Sequence, residues 1–574
     1  MRRSGMPSEF TAIVISMLVS LTTTPMMCAY ILRPLEARPR GRFFRASERA
    51  FDVLLAGYRR SLAWALANPA IVLVAFALTM ALNVSLVMHV PKGFFPEQDT
   101  GIIAGAVIGP QDTSFAAMDG SVRAIVDAVK RDPAVAHANI FIPGGNHGFL
   151  FVALKPLDER GVSAEAVIAR LRRRLAGVTG ASAYLQAVQD LRIGGRLSNA
   201  QYQYTIQADS TEDLTKWGPV LLERMQGLPG LLDVSSDQQN GGLKAFLTID
   251  RTRASALGLT PQALDAALYS SFGRSQASVI YTQLNQYYVI LELAPEATRS
   301  PAGLRDVYLT TSPPPASGAS EVATPIPLDT LADTRLATTP LLINHTGLFP
   351  SVTVSFNLAP GLALSDATRL IDEMRGRLGT PGSVRGFFSG TLEAYQASLR
   401  SEPILVLTAL LAVYIVLGIL YESLVHPLTI ISTLPSASVG AMLAILVFKT
   451  DLNVISIIGI VLLIGIVKKN AIMMIDFALV AEREHGKSPR EAIFEACLLR
   501  FRPIMMTTMA ALFGALPLAF GTGTGAELRR PLGITIVGGL LMSQLLTLYT
   551  TPVVYLSLDR LRLRVGRARA ARAS

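Results

Sequence analysis

Two adjacent lysines, Lys468 and Lys469, lie in the middle of a long apolar run, 452–481. A charged side chain at the depth of a bilayer core costs roughly 2.5–3.5 kcal/mol on insertion scales. As a helix the run is about 45 Å long, and adjacent residues project about 100° apart. We therefore expect one lysine to face the interior of a helix bundle, and the other to reach the interface or line a water-filled gap.

The chain offers these lysines no evident partner at mid-membrane depth. Asp476 follows Lys469 by seven residues, roughly 10 Å along one helix, which is too far for a direct ion pair. Glu402, Glu422 and Asp451 fall at the ends of apolar runs. Two interpretations follow. Either another polypeptide segment supplies the acid, or the lysine extends to the interface or stays neutral in an inactive fragment.

Other chemistries find little support in the sequence. No GxxxxGK[ST] phosphate-binding motif is present, so ATP is not expected as the energy source. No nucleophile–base pair indicates hydrolysis, and His147 and His345 stand in predicted loops without metal-ligand spacing. Cys28 and Cys497 lie outside the large polar middle region, so no disulfide framework is indicated there. We expect neither an enzyme nor a metal site.

The composition is that of a membrane protein. Of the 574 residues, 50% are hydrophobic and only 16% are charged, and the mean hydropathy is +0.41. Soluble domains carry roughly 25% charged residues. The net charge of +10 would suit nucleic-acid binding. The basic residues cluster beside apolar runs, however, which favours a membrane and argues against a nucleic-acid partner.

Seven apolar segments approach or exceed the roughly 20 residues that a bilayer-crossing helix needs. Two of them come before a long polar region, 91–402, and five follow it. The segments are 10–32, 69–90, 403–421, 427–448, 452–481, 503–526 and 531–558.

Basic residues set the expected orientation. The arginine-rich segments 33–60 and 560–572 and the basic loop 483–502 fall on one side if seven spans alternate. That side is cytoplasmic, so the long polar region lies outside. The basic start, Met-Arg-Arg, conflicts with this arrangement because a basic N-terminus before a first span stays inside. The conflict indicates that Met1 is not the natural start of the folding unit.

Segment 43–65 has apolar residues at helical spacing with arginines between them. The apolar residues are Phe44, Phe51, Leu54, Leu55, Tyr58 and Leu62. This pattern predicts an amphipathic helix that lies on the cytoplasmic membrane surface. The alternative is an ordinary helical linker.

The polar region alternates strand and helix patterns. Between 101 and 188 the predicted order is β-α-β-β-α-β, the split βαβ pattern. A second copy starts at 202, is interrupted near Ile249 and resumes between 351 and 389. The insertion, 250–348, contains a helix that opens with Thr260 and Pro261. We therefore predict two related α+β units with one insertion.

Several long motifs carry a family resemblance. They are KGFFPEQDTG at 92–101, AVQDLRIGGRLSNA at 187–200, GILYESLVHPLTIISTLPSASVGA at 418–441, IGIVKKNAIMMIDFAL at 464–479, EACLLRFRPIMMTT at 495–508 and ELRRPLGITIVGG at 527–539. Over essentially its whole length the chain resembles the C-terminal half of the resistance–nodulation–division (RND) drug/proton antiporters, in their MdtB/MdtC-like branch.

The resemblance implies a polytopic α-helical membrane protein of seven transmembrane helices, whose large periplasmic α+β region holds ferredoxin-like βαβ porter subdomains and a docking insertion. The implied divisions are 1–33, a transmembrane helix (family span 6); 34–66, a cytoplasmic amphipathic linker helix; 67–90, a transmembrane helix (span 7); 91–198, a porter subdomain; 199–248 with 349–398, a second porter subdomain; 249–348, the docking insertion; 399–560, five transmembrane helices (spans 8–12); and 561–574, a basic cytoplasmic tail.

Carried onto this sequence, the family's proton relay is Lys469, Asn470, Arg500 and Thr507. In the family this lysine pairs with two aspartates of the fourth span, and proton uptake by an aspartate releases it. Those aspartates belong to the N-terminal half, which this chain lacks. Arg500 and Thr507 are seven residues apart, two turns along one helix face.

The family's drug pocket corresponds to strand 149–155 and the preceding loop, 142–148. The candidate aromatic lining residues are Phe151, Phe141, Phe149 and Tyr184. Aromatic walls suit amphiphilic ligands, which bind mainly through apolar area. The alternative is that these strand residues belong to the core. The loop is shorter and poorer in aromatic residues than in well-known members, which argues against a switching-loop role.

The resemblance also implies partners and a location. We expect a homo- or heterotrimer in the inner membrane of Gram-negative bacteria, with a periplasmic adaptor, an outer-membrane channel, the missing N-terminal half and drug-like or amphiphilic substrates. The proton-motive force takes the place of a cofactor. Met118, Met225 and Met374 are widely separated, which argues against soft-metal export. The alternatives are a truncated, non-transporting scaffold or interfering partner, and a related lipid or protein exporter.

Overall fold

The structure is a computed structural model that describes residues 6–31, 42–191, 198–273, 275–298, 300–310 and 325–573. Arg33, Arg38 and Arg40 of the basic loop and part of one family motif, 192–197, lie outside these ranges, as do the side chains of the tail beyond Arg562. The described chain opens with three helices, α1 (Met6–Ile31), α2 (Arg42–Ala67) and α3 (Pro69–His89).

The first α+β unit is a four-stranded antiparallel sheet with helices on one face. Its elements are β1 (Ile102–Ile108), α4 (Phe115–Lys130), β2 (Val135–Gly144), β3 (His147–Leu154), α5 (Leu157–Arg160), α6 (Ala164–Leu175) and β4 (Ser182–Ala187). The strand order is β2-β3-β1-β4. Side chains alternate along β3, so Leu150 and Val152 are fully buried under α4 and α6. Phe149 and Phe151 point to the other face.

The second α+β unit is split by an insertion. Its first part is β5 (Tyr202–Ala208), α7 (Thr211–Gln226) and β6 (Leu231–Ser236). The insertion holds β7 (Gly242–Ile249), α8 (Arg251–Ala256), α9 (Pro261–Phe272), β8 (Ser275–Tyr281), β9 (Gln286–Leu291), α10 (Pro295–Thr298), β10 (Tyr308–Thr310), β11 (Pro325–Pro327), β12 (Ala332–Thr339), β13 (His345–Thr346) and two short 3-10 helices, Pro301–Asp306 and Leu328–Thr330. The unit ends with β14 (Phe349–Leu358), α11 (Leu364–Leu378) and β15 (Val384–Ser389).

The second sheet repeats the arrangement of the first. Its central order is β14-β5-β15, and both β6 and β13 pair with β14. Strand β7 lies before the predicted start of the insertion at 249. It nevertheless pairs with β12, from Gly242 opposite Thr339 to Ile249 opposite Ala332, and so belongs to the insertion. The sequence alone does not reveal this partner, because β12 lies far along the chain.

Within the described ranges, seven helical segments are long and apolar enough to cross a membrane, as predicted. Helices α1 and α3 are two of them. The others are α12 (Thr391–Tyr421), α13 (His426–Ile431) together with α14 (Leu434–Val447), α15 (Val454–Arg483), α16 (Pro489–Ala519) and α17 (Ala526–Ala573).

Helix α16 differs most from its predicted span, 503–526. Ser488 caps its start by accepting a hydrogen bond from Glu491 N at 3.4 Å, and Pro489 occupies the first helical turn. Pro503 lies inside the helix, which continues through it. Arg500 therefore stands inside α16, as its two-turn spacing from Thr507 implies, although the predicted apolar span starts only at 503.

Helix α2 confirms the helix predicted at 43–65. Tyr58 stacks on Phe501 of α16 with ring centroids 4.6 Å apart, and its hydroxyl donates to Leu548 O of α17 at 2.9 Å. On another side Val53 and Trp64 are 73% and 56% exposed. One face of α2 is thus held by the apolar helices, while the contact of its exposed face with a membrane surface stays a prediction.

A short extended segment joins the helices to the second α+β unit. Lys92 forms a parallel bridge with Leu452, just before α15. Gly93 N donates to Leu452 O at 3.1 Å, and Leu452 N donates to Pro91 O at 2.8 Å. Tyr395 of α12 donates its hydroxyl to Lys92 O at 3.3 Å. This segment therefore ties α3, α12 and α15 together beside the second sheet.

Candidate functional site

Helix α15 carries the two lysines and has a packed face and an open face. Asn453 caps its start by accepting a hydrogen bond from Ser456 N at 2.9 Å. Asn470 is buried, Lys468 is half-buried and Lys469 is exposed. The exposed residues recur at helical spacing and form one face. They are Ile458, Val461, Leu462, Gly465, Lys469, Asp476, Val480 and Arg483.

Lys469 therefore lies at mid-helix on the side of α15 that the other helices leave uncovered. Asp476 shares that face two turns away, about 10 Å along the axis. Among the residues that the structure describes, no carboxylate forms an ion pair with Lys469. The lysine thus has a place for a counter-ion opposite it, but none within the described part of the chain.

A chain of polar contacts crosses the packed side of α15. Asn470 Nδ2 donates to Thr508 Oγ1 at 3.2 Å, and Thr508 Oγ1 donates to Gln544 Oε1 at 2.8 Å. Gln544 Nε2 lies 3.2 Å from Met505 Sδ. Asn470 and Thr508 are 8% and 3% exposed. Polar groups at membrane depth must be satisfied inside the protein, and these contacts do so by linking α15, α16 and α17.

The sequence analysis misses Thr508 and Gln544. Gln544 carries an amide side chain inside an apolar run. Polar residues in such runs are candidates for functional residues, so Gln544 could have been identified from the sequence. Thr508 stands next to the predicted Thr507. Only the rotation of α16 against α15 decides which of the two hydroxyls meets Asn470, and the sequence does not give that rotation.

Arg500 and Thr507 are half-buried on α16. The Arg500 guanidinium lies 4.8 Å from the ring centroid of Phe477, and its Nε is buried without a hydrogen-bond partner. Thr507 Oγ1 donates to Ile504 O at 3.1 Å, within its own helix. In the described ranges no hydrogen bond links either residue to Lys469. The structure brings the four residues onto two adjacent helices, and their role as a relay stays a prediction.

The aromatic candidates share one face of the first sheet. In the strand register Phe141 lies opposite Phe149, Phe149 opposite Ala106, and Ala106 opposite Tyr184. Opposite residues of antiparallel strands point to the same side, and Phe151 joins them two positions after Phe149. Phe141, Phe149 and Phe151 are 62%, 38% and 54% exposed. The alternative that these phenylalanines are core residues is therefore wrong.

Asp233 holds the two α+β units together beside this face. Arg172 of α6 donates from Nε to Asp233 Oδ1 at 2.8 Å, and Asn357 Nδ2 donates to Asp233 Oδ2 at 2.9 Å. Partial burial raises the pKa of Tyr184, and the Asp233 charge raises it further. The Tyr184 hydroxyl therefore stays protonated at neutral pH and remains a hydrogen-bond donor at the edge of the aromatic face.

Comparison with known proteins decides the family. The family model described as the AcrB/AcrD/AcrF family matches residues 8–559. The chain belongs to this family. Multidrug resistance protein MdtC of Escherichia coli (strain K12 / DH10B) is 50% identical over 558 residues, which cover 97% of this chain and 54% of MdtC. MdtC of Escherichia fergusonii shows the same identity and the same coverage. The predicted RND, MdtC-like membership is confirmed.

A solved structure shares the fold. The X-ray structure of a heavy metal efflux pump superposes with a TM-score of 0.78 at 21% identity, and the match covers 89% of this chain and 53% of that one. At this identity the likeness concerns the fold alone. The chain spans about half the length of the relatives it matches. AcrB/AcrD/AcrF-family proteins such as MdtC are transporters rather than enzymes, as expected for this chain.

The remaining histidine expectations need one correction. His147 is not a solvated loop residue, because it begins β3, is half-buried and contacts the Gln239 amide. Burial lowers the pKa of His147. His345 lies exposed in the short strand β13. Across the described ranges no group of three or more His, Cys, Asp or Glu residues is placed to hold a metal ion.

Proposed function

We propose that this chain is the C-terminal half of an RND transporter that exports drug-like or amphiphilic molecules across the bacterial inner membrane by proton antiport. The MdtC relatives, named as multidrug resistance proteins, support this substrate class. The seven apolar helices support a multi-pass membrane location. The match to about half of each relative supports the existence of a second half.

The open face of α15 is the observation that carries the proposal. A lysine that faces lipid at mid-membrane depth is costly, whereas one that faces a carboxylate is stabilised. Lys469 is exposed beside the buried Asn470–Thr508–Gln544 chain. We infer that the N-terminal half covers this face and supplies the acidic pair. Protonation of one of its carboxylates then weakens the attraction that holds Lys469, and the two groups of helices shift against each other.

Arg500 and Thr507 complete the relay in this proposal. The buried Arg500 Nε lacks a partner in the described structure. It is available to a carboxylate or a water molecule once the helices move. Thr507 lies two turns further along α16 and provides a hydroxyl on the same route.

The α+β units are the porter subdomains in this proposal, ferredoxin-like and placed in the periplasm. Their strand orders are those of split βαβ units. The open aromatic face of the first sheet, with Phe141, Phe149, Phe151 and Tyr184, contacts the substrate. Exposed rings on a rigid sheet suit varied amphiphiles, because the binding free energy comes from buried apolar area.

The proposed assembly is a homo- or heterotrimer. It works with a periplasmic adaptor and an outer-membrane channel, toward which the insertion between β6 and β14 points. The energy source is the proton-motive force, with no cofactor and no nucleic-acid partner.

The test is a transport assay on the protein purified from its native membrane in mild detergent, together with every co-purifying subunit. In liposomes with an imposed pH gradient, the preparation should move a fluorescent amphiphile uphill while the gradient decays. Lys469→Ala should abolish both fluxes. Lys468→Ala is the matched control, because the neighbouring lysine is half-buried and points elsewhere, and it should keep most of the activity.

Two outcomes would contradict the proposal. A lone 61.5 kDa chain that moves no amphiphile would favour the non-transporting scaffold. Equal loss of transport in both lysine variants would show that transport does not depend on the exposed position of Lys469.

A further inference from the structure

The chain of polar contacts beside Lys469 has a fixed direction, which is set by a methionine. Met505 lies three residues before Thr508, so the two side chains are neighbours on one side of α16. A thioether sulfur accepts hydrogen bonds and donates none. The amide nitrogen of Gln544 therefore faces Met505 Sδ, 3.2 Å away, and the amide oxygen is left for Thr508.

That orientation of Gln544 determines the remaining contacts. Gln544 Oε1 can only accept, so the Thr508 hydroxyl donates to it at 2.8 Å. A hydroxyl has a single proton, and Thr508 Oγ1 must then accept from its other partner. This partner is Asn470 Nδ2, at 3.2 Å. The amide of Asn470 is thus held with its nitrogen toward α16.

Burial makes the arrangement hard to replace. Asn470 and Thr508 are 8% and 3% exposed, and Gln544 is half-buried. A side chain that turned away from its partner would leave a polar group unpaired in apolar surroundings. The neighbouring buried residues of α15 include Val467 and Met474, whose apolar contacts have no directional preference. The polar contacts therefore define the rotation of α15 about its axis more sharply than these apolar contacts do.

The rotation of α15 decides where Lys469 points. Adjacent residues of a helix project about 100° apart. With Asn470 held against α16, Lys469 is directed to the open face of α15, where it is exposed. A rotation of the helix that released Asn470 would turn Lys469 through the same angle.

We propose that Thr508 and Gln544 are positioning residues for Lys469. They hold Asn470 against α16 and so keep the lysine directed out of the helix bundle, toward the counter-ion that the other half supplies. Both act through Asn470. Their part in transport rests on the proposed function, whereas the direction of Lys469 can be measured without any transport.

Solid-state NMR tests the positioning in the protein from its native membrane, held in nanodiscs with its co-purifying subunits. Lysine is labelled with ¹³C at Cε, and the Lys469 signal is identified by its loss in Lys469→Arg. We expect one narrow signal, which should broaden or split in Thr508→Val and in Gln544→Met. Thr550→Val is the matched control and should leave the signal unchanged. Thr550 is a buried threonine of α17 whose hydroxyl donates to Leu546 O, within its own helix, at 2.9 Å.

Transport measures the consequence of the positioning. In the liposome assay, Thr508→Val should lower the maximal proton and amphiphile fluxes about tenfold, because the lysine no longer faces its counter-ion. The amphiphile concentration for half-maximal flux should stay unchanged, since the proposed ligand face lies on the first α+β unit. Thr508→Ser keeps a hydroxyl and should recover most of the flux. Adding Gln544→Met to Thr508→Val should cost little more, because both changes break the same chain of contacts.

A narrow, unshifted Lys469 signal in both Thr508→Val and Gln544→Met would overturn the proposal. Equal broadening in Thr550→Val would overturn it too, because any lost hydroxyl would then have the same effect. Equal flux losses in Thr508→Ser and Thr508→Val would show that the hydroxyl is not required. If the unsubstituted protein moves no amphiphile while its Lys469 signal responds as expected, the proposed function fails and the positioning stands.

Discussion

The two α+β units share a strand arrangement and differ on the sheet face that their helices leave free. In the first unit that face is aromatic and open, with Phe141, Phe149 and Phe151 exposed. In the second unit it is polar and closed. Its residues, each 2% to 6% exposed, are Gln203, Thr205, Ser351, Thr353 and Ser355.

On this polar face of the second sheet, called the hydroxyl face below, side-chain hydroxyls form hydrogen bonds with one another. Thr205 Oγ1 lies 3.1 Å from Thr353 Oγ1 and 2.8 Å from Ser389 Oγ. A buried surface whose polar groups bond one another forms a fixed contact. An exposed aromatic surface keeps apolar area that an arriving molecule can cover. The two units therefore share one fold but use the free face of the sheet differently. In the second unit the face makes a fixed contact, and in the first unit it stays open to a ligand.

The largest effect should come from the core side of the second sheet. Phe356 is fully buried, and Phe356→Ala should lower the local free energy of unfolding by about 3–5 kcal/mol. Hydrogen–deuterium exchange of β5 and β14 in the full chain measures this loss. Ser355→Ala, one residue away on the hydroxyl face, is the matched control. An equal loss of local unfolding free energy in both variants would contradict the distinction between the core side and the hydroxyl face of the second sheet.

A smaller effect should follow from opening the hydroxyl face. Thr353→Val leaves the buried Thr205 hydroxyl with one partner fewer, and the local free energy of unfolding should fall by about 1–3 kcal/mol. Adding Thr205→Val should cost less than the sum of the two single changes, because both ends of one contact are then removed. Strict additivity in the same exchange experiment would mean that the two hydroxyls do not interact.

The aromatic face should show the opposite behaviour. Phe151→Ala should change stability by less than about 0.5 kcal/mol, because the ring is 54% exposed. Binding of a fluorescent amphiphile should weaken about fivefold, as expected when roughly 1 kcal/mol of apolar contact is lost. Phe115→Ala is the control, since Phe115 is 61% exposed on the helix side of the same unit. Equal weakening in both variants would count against a ligand-binding face.

The smallest expected effect is a pH dependence of the first unit. Burial lowers the pKa of His147. The unfolded chain therefore binds this proton more readily than the folded chain, and the stabilisation is lost as the pH falls through the ordinary histidine range toward 5. Exchange of β3 should quicken between pH 7 and pH 5 after correction for the intrinsic rate. His147→Gln should flatten that change, and an unaltered profile in the variant would rule out this histidine as the cause.

Much of the fold could be predicted because its signals are local. Apolar length predicted the seven helices, and the order of strands and helices predicted two similar units. The start of α16 was missed because Arg500 and Arg502 interrupt the apolar run, so the predicted span began at 503, although Ser488 and Pro489 form a strong helix start. The pairing of β7 with β12 was missed because it joins distant parts of the chain.

The candidate site was predicted less completely, for a physical reason. Alternation along a strand is visible in a sequence, so the opposite directions of Phe151 and Val152 could have been read directly. The contact of Asn470 with Thr508 depends on how two helices are rotated against each other. No period within either helix reports that rotation.

The bridge between Lys92 and Leu452 bears on how such proteins can be recombined. Its hydrogen bonds with Leu452 run between main-chain atoms, so most side chains there are free to vary while the connection persists. Gly93 is the exception, because a Cβ at this position would meet the Asp451 side chain at 3.1 Å. A chimera that takes its helices from one family member and its α+β units from another should therefore stay mechanically connected, provided that residue 93 remains glycine or the Asp451 side chain shifts by a few tenths of an ångström.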